Sequence, residues 1–222
     1  MKRKRFLVVG LGILGNSIAK SLNDEGAEVI ALDNDTKHIE AIKDHVAVAV
    51  HGDGTEKKVL EQLGVPDEID AAIVCIGEHF ESAVLASANL VDMGVKHVAA
   101  RSNTEIGLKI LERIGCHDVF TVESSMGKIV AHRLIHPSIS QEMEIGDGYR
   151  IVQWEAVPSL YGKTLSSLSL PSNFRIQVVA IKTVADGGRI NLPTASTQIE
   201  PESILFLMGH EKDLQKYFAS TN

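Results

Sequence analysis

The sequence lacks any long hydrophobic run, because charged or polar residues interrupt each apolar stretch well before the ~18 residues that a membrane-spanning helix needs. It also lacks the apolar core and small-residue cleavage site of a signal peptide, since the basic start MKRKRF leads directly into an apolar strand pattern. These absences argue against a membrane-embedded or secreted protein. We therefore expect a soluble, cytoplasmic chain.

Cysteine and clustered positive charge are also scarce. The two cysteines, Cys75 and Cys116, form no metal or redox spacing, and Cys75 falls in a buried-strand pattern typical of a core thiol. The net charge is −7 and the basic run Lys2 to Arg5 is short, which argues against nucleic acid as the main partner. His132 and His136 have a spacing that suits a metal, but no third ligand is evident, which favours a solvated helix face.

What the sequence does contain is a strand–glycine–helix–strand unit over residues 5–33. The β-branched, apolar run Arg5–Val9 ends in the turn Gly10-Leu11-Gly12-Ile13-Leu14-Gly15, and a helical pattern follows. A second apolar run, Glu28–Leu32, ends on Asp33. This order of parts is typical of a nucleotide-binding βαβ unit.

Each part of the unit has a physical role in binding a nucleotide. Gly10 permits the tight turn, Gly12 lets backbone approach a phosphate, and Gly15 lets the helix pack closely on the strand. The helix N-terminus offers free N–H groups and a positive dipole end to an anion. Asp33 is placed to accept hydrogen bonds from ribose hydroxyls, and its charge disfavours a 2′-phosphate. A tight turn without a ligand is the alternative.

Strand-like runs alternate with helical patterns as far as residue 122. This alternation predicts an α/β domain over residues 1–137, built on a Rossmann-like, doubly wound parallel sheet. The predicted strands are Arg5–Val9, Glu28–Leu32, Val46–Val50, Ala71–Ile76, Val95–Ala100 and Val119–Val122. The second predicted helix is capped by Asp35. The later predicted helices are Thr55–Leu63, Glu81–Met93, Glu105–Ile114 and Met126–Ile135, the last with Ser124 and Ser125 as its cap.

Two loops after predicted strands contribute further candidate site residues. His51-Gly52-Asp53-Gly54-Thr55 lets backbone approach a flat ring, or it is a plain turn in which Asp53 caps the next helix. Arg101 either reaches a phosphate held by the glycine turn or is a solvated charge at a strand end. The carboxyl ends of the strands are where doubly wound sheets bind ligands, which favours the binding interpretation for Arg101 and lends support to it for the loop.

Residues 138–222 have a different pattern and predict a second, smaller α+β domain. The segment Pro137–Gly148 predicts a linker or crossover. The part that follows it, Tyr149–Asn222, has only ~70 residues and is marginal alone, so we expect dimer contacts to stabilise it. No catalytic cluster is evident, and Trp154 is interpreted as core or interface. The predicted elements are strands at Tyr149–Val157, Phe174–Val184, Arg189–Leu192 and Ser203–Met208, helices at Thr164–Leu168 and Glu211–Phe218, and the hairpin turn Asp186-Gly187-Gly188.

The chain resembles the cytoplasmic regulatory subunits of Trk/Ktr-type potassium uptake systems. These subunits join an N-terminal RCK domain (regulator of potassium conductance) to a small C-terminal domain. The resemblance rests on the motifs VVGLGILGNSIAKSL, VIALDND, HGDGT, AAIVCIGE, KILERIGCHDVFTVESSMG, LYGKTLSSLSL, VVAIK and ILFLMGH. They cover nearly the whole chain in the family's order. The glycine motif alone is generic, whereas the two-domain succession is fairly specific.

The resemblance implies a binding site for an adenine nucleotide. Gly10 to Gly15 would hold the phosphates, Asp33 the ribose, and Asp53 with Gly54 would border the adenine. Ile76 and Gly77 would line the site and Arg101 would approach the phosphates. Relatives that bind ATP can carry an intersubunit cation at the position of Glu123, which would make Glu123 a metal ligand; a helix-start carboxylate is the alternative.

One residue departs from the family pattern. ATP-responsive members usually have an arginine, which helps to read the terminal phosphate, where this chain has Ile13. Selectivity for ATP is therefore not expected, and ADP, AMP or NAD(H) is a more plausible ligand here than in those relatives. Some close relatives bind cyclic di-AMP between paired C-terminal domains, and nothing in Asn173–Pro193 predicts that here.

The resemblance also implies a mode of action without catalysis. The family forms homo-oligomers, as dimers within an octameric ring, at the inner face of the membrane under a potassium-translocating subunit that the nucleotide gates. The rival prediction is an NAD-dependent oxidoreductase, for which the second domain lacks a substrate site. A nucleotide-sensing transcription regulator is weakened by the acidic charge and the lack of a helix-turn-helix segment.

Overall fold

The computed structural model describes residues 3–135, 137–183 and 187–221, and the chain divides into two compact units, Met1–Gly127 and Lys128–Asn222. This division falls within a helix, whereas the sequence placed its boundary after that helix, between residues 137 and 138. The side chain of His132, all of His136, and the predicted turn residue Asp186 lie outside the described part of the chain.

The first unit alternates strands and helices. Its described strands are β1 (Arg5–Val9), β2 (Glu28–Asp33), β3 (Val48–His51), β4 (Ala71–Val74), β5 (Val98–Arg101) and β6 (Asp118–Phe120). Its described helices are α1 (Ile13–Asp24), α2 (Thr36–Ile42), α3 (Lys57–Gln62), α4 (Phe80–Asp92), α5 (Glu105–Ile114) and the start of α6 (Val122–Ile135).

The strands of the first unit pair in parallel in the order β3-β2-β1-β4-β5-β6. Central β1 contacts both β2 and β4, with Leu7 opposite Ile30 on one side and Ala72 on the other. The strand order reverses between β1 and β4, and this reversal opens a crevice at the carboxyl ends of the strands. The predicted Rossmann-like α/β fold is therefore confirmed.

The sheet separates two apolar cores. Successive strand residues point to opposite faces, so Leu7 and Val9 belong to one core and Val8 to the other. Helices α1 and α2 cover the second face, where Ile42 is fully buried and Ile39 is partly buried. The predicted cap of α2 by Asp35 is confirmed, and Gly115 ends α5 with φ of +106°.

The second unit contains an antiparallel sheet with strand order β10-β9-β11-β8-β7. Its described strands are β7 (Ile139–Gly146), β8 (Tyr149–Glu155), β9 (Gln177–Lys182), β10 (Ile190–Asn191) and β11 (Ile204–His210), and its further described helices are α7 (Leu165–Leu168), α8 (Leu170–Phe174) and α9 (Glu211–Thr221). Trp154 is buried and stacks near Tyr217 and Phe218, with ring centroids 5.6 and 5.4 Å away, so its prediction as a core residue is confirmed.

The prediction of a linker at Pro137–Gly148 was wrong, because most of this segment forms β7. This strand lies at the edge of the sheet, and of its side chains only that of Ile139 is buried. Serine, glutamate and glycine dominate the segment's composition, which is typical of a linker, although Met143 and Ile145 alternate with glutamates as in a strand.

Two other boundaries were wrong for local reasons. Helix α6 begins at Val122, so Ser124 and Ser125 lie inside it rather than at its cap. The strand predicted from Phe174 begins at Gln177, because α8 ends at Phe174 and Arg175 takes a left-handed conformation with φ of +57°. No helix in the described part of the chain is long and apolar enough to cross a membrane.

We expect Gly15→Ala to destabilise the first unit. A Cβ on Gly15 would lie 1.8 Å from the carbonyl oxygen of Gly10, and a backbone atom cannot move aside as a side chain can. The free energy of unfolding, from denaturant titration followed by circular dichroism, should fall by about 1–3 kcal/mol or more.

Gly127→Ala is the matched control, because Gly127 lies in α6 and a Cβ there would meet nothing within 4 Å. It should be neutral or slightly stabilising, since alanine is the better helix former. Equal stability of the Gly15 and Gly127 variants would contradict the close packing of helix on strand.

Both cysteine thiols should be unreactive in the folded protein. Burial raises the pKa of Cys75 from 9.0 to about 12 and also raises the pKa of Cys116. At pH 8 the thiolate of Cys75 should be about a thousandfold rarer than that of an exposed cysteine. Labelling followed by mass spectrometry should find both thiols protected until denaturant is added, and rapid labelling of the native protein at either position would disprove this burial.

Candidate functional site

A cleft of about 880 Å³ lies at the carboxyl ends of β1, β2, β4 and β5. Its size is within the range of small-molecule sites, and its position is the crevice where doubly wound sheets bind ligands. Most of the residues that the sequence selected meet here, namely Gly10, Gly12, Ile13, Leu14, Asp33, Gly54, Ile76, Gly77, Arg101 and Glu123. Leu11, Gly15 and Asp53 are not among the lining residues.

The glycine turn presents an open helix end to the cleft. Gly10 has φ of +88°, a left-handed conformation that favours glycine in the tight turn after β1. Gly12 is the N-cap of α1, but no side chain caps this end and no acidic residue lies in its first turn. By contrast, Asp35 caps α2 and Thr104 caps α5. The N-terminal N–H groups of α1 are therefore available to an anion.

The absence of a side chain has a different consequence at Gly12 and at Gly15. A Cβ on Gly12 would meet no protein atom within 4 Å, so the space beside it belongs to the cleft. Gly15 instead packs on Gly10, which explains its absence from the cleft lining. Leu11 is buried, and it contributes its backbone N–H rather than its side chain.

Asp33 is a buried carboxylate held by backbone donors. Its Oδ2 accepts a hydrogen bond from the N–H of Leu11, and its Oδ1 accepts one from the N–H of Asp35 at 2.7 Å. A carboxylate has about four lone-pair sites, so both oxygens retain capacity for ribose hydroxyls. Its negative charge at the end of β2 opposes a phosphate on the ribose.

His38 is a cleft residue that the sequence analysis missed. Its Nδ1 lies 3.2 Å from Oδ2 of Asp33, yet it is buried and makes no well-aligned hydrogen bond. The signal was its position, because the N-cap Asp35 fixes the first turn of α2 directly after Asp33. A ring nitrogen here can contact the same hydroxyl groups as the carboxylate.

In the loop after β3, Asp53 does not cap the next helix, because the N-cap of α3 is Glu56 and no side chain caps that end. Asp53 Oδ1 accepts hydrogen bonds from the N–H and the hydroxyl of Thr55, so this carboxylate stabilises its own turn. Gly54 lines the cleft but also packs closely, because a Cβ there would lie 2.3 Å from Cγ1 of Val9. Its neighbour Gly52 lines the cleft as well.

Arg101 is the cation of the cleft wall rather than a solvated strand-end charge. Its side chain is mostly buried, and its Nη2 forms an ion pair with Oε1 of Glu123 in the first turn of α6. Gly77 makes room for it, because a Cβ on Gly77 would lie 2.6 Å from Nη1. Asn103 fixes the neighbouring loop by donating to the carbonyl of Gly77 at 2.7 Å.

Glu123, the predicted metal ligand, is therefore paired with a guanidinium. Within residues 3–135, 137–183 and 187–221, no group of three or more histidine, cysteine, aspartate or glutamate side chains is arranged to hold a metal ion. The role of Glu123 toward a cation stays a prediction.

A second cavity, of about 670 Å³, lies within the second unit. Its central charge is Arg150, which pairs with Glu142 and, at 3.0 Å, with Glu211. Arg150 is thus engaged by two carboxylates, whereas the first cleft contains an open helix end with no acidic residue in its first turn. The first cleft is therefore the better candidate for binding an anion.

Comparison with known proteins identifies both units. The TrkA-N domain model matches residues 6–122, and the TrkA-C domain model matches residues 155–221. Ktr system potassium uptake protein C of Bacillus subtilis is 32% identical over 97% of this chain and 96% of its own length. Ktr system potassium uptake protein A of Vibrio alginolyticus is 27% identical over 95% of this chain and 94% of its own length.

Solved structures agree on the fold. The RCK domain of GsuK matches the whole chain with a TM-score of 0.57 at 22% identity, and the GsuK channel bound to NAD gives the same values. The chain spans 47% and 39% of the lengths of those two proteins. The two domain matches and the near-complete alignment with the Ktr proteins show that this chain belongs to the TrkA family of potassium uptake proteins, with a TrkA-N domain followed by a TrkA-C domain.

Proposed function

We propose that the cleft of the first unit binds an adenine nucleotide and that the protein is a regulatory subunit of a potassium uptake system. One observation carries the proposal: the uncapped N-terminus of α1 and the carboxylate of Asp33 line the same cleft. The helix end can donate hydrogen bonds to a phosphate, and the carboxylate can accept them from ribose hydroxyls. Because they lie at neighbouring strand ends, the two groups match the phosphate and ribose of one nucleotide.

The geometry restricts which nucleotides fit. The carboxylate of Asp33 is buried and already accepts hydrogen bonds from two backbone N–H groups. A 2′-phosphate would lie beside this negative charge. NAD(H) and adenosine nucleotides without a 2′-phosphate are therefore favoured over the 2′-phosphorylated forms. Ile13 is 96% exposed beside the turn and supplies no charge to a terminal phosphate, so the site does not single out ATP.

The regulatory role rests on the family. The curated relatives named above are potassium uptake proteins, and this chain aligns with nearly their full length. We infer the same assembly for it: dimers within a ring, octameric in this family, at the inner face of the membrane beneath a potassium-translocating subunit. Nucleotide binding would favour one arrangement of the ring.

Such a switch has a definite energetic requirement. A ligand shifts an equilibrium only by the difference in its affinity for the two states. A shift from 1:99 to 99:1 needs about 5.5 kcal/mol, which several sites in one ring can share. Each subunit then needs to supply only a fraction of that free energy.

A catalytic role as an NAD-dependent oxidoreductase has less support. The thiol of Cys75, which lines the cleft, is a poor candidate for a nucleophile, because it is buried and burial raises its pKa to about 12. In the second unit, Arg150 is engaged in ion pairs with Glu142 and Glu211, and Trp154 is buried in the core. Incubation with NAD and candidate substrates should therefore give no reduction of the cofactor, and turnover would favour the enzyme.

Calorimetric titration of the full chain with ATP, ADP, AMP, NAD and NADH should detect saturable binding, and NADP should bind more weakly than NAD. Gly12→Ala should weaken every one of these ligands by tenfold or more, because its methyl group would occupy the space beside the helix end. The fold should be unaffected, since no protein atom lies within 4 Å of that position. Absence of binding by any nucleotide would refute the proposed site.

Ile13→Arg tests the account of the terminal phosphate. It should strengthen ATP binding more than ADP binding, because the added guanidinium lies beside the glycine turn. Ile190→Arg adds the same charge at another exposed isoleucine, in the second unit, and should change neither affinity. An equal effect of both variants would show that the net charge of the protein, not the position of residue 13, controls selectivity.

The regulatory role predicts a separate result in cells. Potassium uptake through the assembled complex should lose its dependence on nucleotide when the regulatory subunit carries Gly12→Ala, and should keep it with Gly127→Ala. Normal nucleotide-dependent flux with Gly12→Ala, in a variant shown not to bind, would contradict a nucleotide switch.

A further inference from the structure

Arg101 and Glu123 form an ion pair within the lining of the cleft. Nη2 of Arg101 contacts Oε1 of Glu123. Arg101 is the last residue of β5, and Glu123 lies in the first turn of α6. The pair therefore joins a strand end of the sheet to the helix that follows the last strand of the unit.

The two partners differ in how firmly they are held. The side chain of Arg101 is 18% exposed, whereas that of Glu123 is 63% exposed. Arginine keeps its charge at any physiological pH, and Gly77 provides the space in which the guanidinium lies. Nε of Arg101 is buried without a hydrogen-bond partner. The guanidinium of Arg101 is therefore held in the cleft wall with one N–H donor unpaired. The carboxylate of Glu123 can rotate away from it into solvent.

We propose that Glu123 is a built-in competitor of the ligand phosphate for Arg101. This inference rests on the proposed nucleotide site. A phosphate entering the cleft takes the guanidinium from Glu123, and the released carboxylate remains in the first turn of α6, where the helix dipole favours it. Exposed ion pairs are weak and arginine–phosphate hydrogen bonds are strong, so the exchange is favourable for phosphorylated ligands.

The exchange gives the cleft a way to report its occupancy. Adenosine, which carries no phosphate, leaves the Arg101–Glu123 pair intact. A nucleotide breaks it and changes the contacts of the first turn of α6. That helix continues past Gly127, where the first unit ends, so the altered contact lies on the segment that connects the two units along the chain.

The test is a set of calorimetric titrations of the full chain with ADP and with adenosine. Glu123→Gln should tighten ADP binding by about two- to fivefold, because it removes the competitor, and should leave adenosine unchanged. Arg101→Gln should weaken ADP by about tenfold or more, because a charge-assisted hydrogen bond is lost. In the Arg101→Gln background, Glu123→Gln should no longer tighten ADP.

Glu78→Gln is the matched control, because Glu78 is another cleft-lining carboxylate. It should tighten ADP less than Glu123→Gln does. Equal tightening by both variants, or tightening by Glu123→Gln that persists without Arg101, would show a general charge effect and overturn the competitor role.

Repeating the ADP titrations with magnesium and with EDTA distinguishes two roles of Glu123, that of a competitor for Arg101 and that of a cation ligand. If Glu123→Gln weakens ADP only when magnesium is present, the carboxylate holds a cation and the proposal fails, although the nucleotide site stands. If the wild-type chain binds neither ADP nor adenosine, the proposed site itself is wrong.

Discussion

The hydrogen bond from the backbone N–H of Leu11 to the carboxylate of Asp33 joins the two halves of the cleft. It ties the glycine turn after β1 to the end of β2, so the helix end and the acid keep a fixed relation. Asp33 is buried, and two backbone donors hold its charge. A carboxylate placed in this way organises the turn even without a ligand, and it retains lone pairs for one.

The rest of the first unit supports this arrangement. The reversal of strand order between β1 and β4 opens the crevice. Gly15 brings α1 against the turn, and Gly77 admits the side chain of Arg101 beside the end of β4. Asp33 at the end of β2 and Arg101 at the end of β5 therefore stand on opposite sides of the crevice, because β1 and β4 lie between their strands. The uncapped end of α1, which follows β1, lies between them. That distribution of charge suits a ligand with a hydroxyl-bearing end and a phosphate-bearing end.

Much of the first unit could be predicted from the sequence, because its strands are apolar on both faces and its turns carry glycine. The parallel sheet and most of the cleft residues follow from those signals. The pairing of Arg101 with Glu123 could not, since it joins residues on separate elements that no periodicity connects. The contact between His38 and Asp33 joins residues that are close in sequence, but its prediction requires the exact start of α2.

The second unit was harder to predict because its signals are weaker. β7 is an edge strand whose side chains are mostly exposed, and its polar composition predicts a linker instead. Asp53 shows a different limit. The sequence left open whether it borders a ligand or caps the next helix, and in the structure its carboxylate accepts hydrogen bonds from Thr55 within its own turn. Helix and strand types were more predictable than the partners of individual polar side chains.

The most direct test of the central claim is a crystal structure of the full chain with ADP. The account predicts the ribose hydroxyls on the carboxylate of Asp33 and a phosphate at the backbone N–H groups that follow Gly12. ADP bound elsewhere, or a cleft filled by the chain's own side chains, would contradict it.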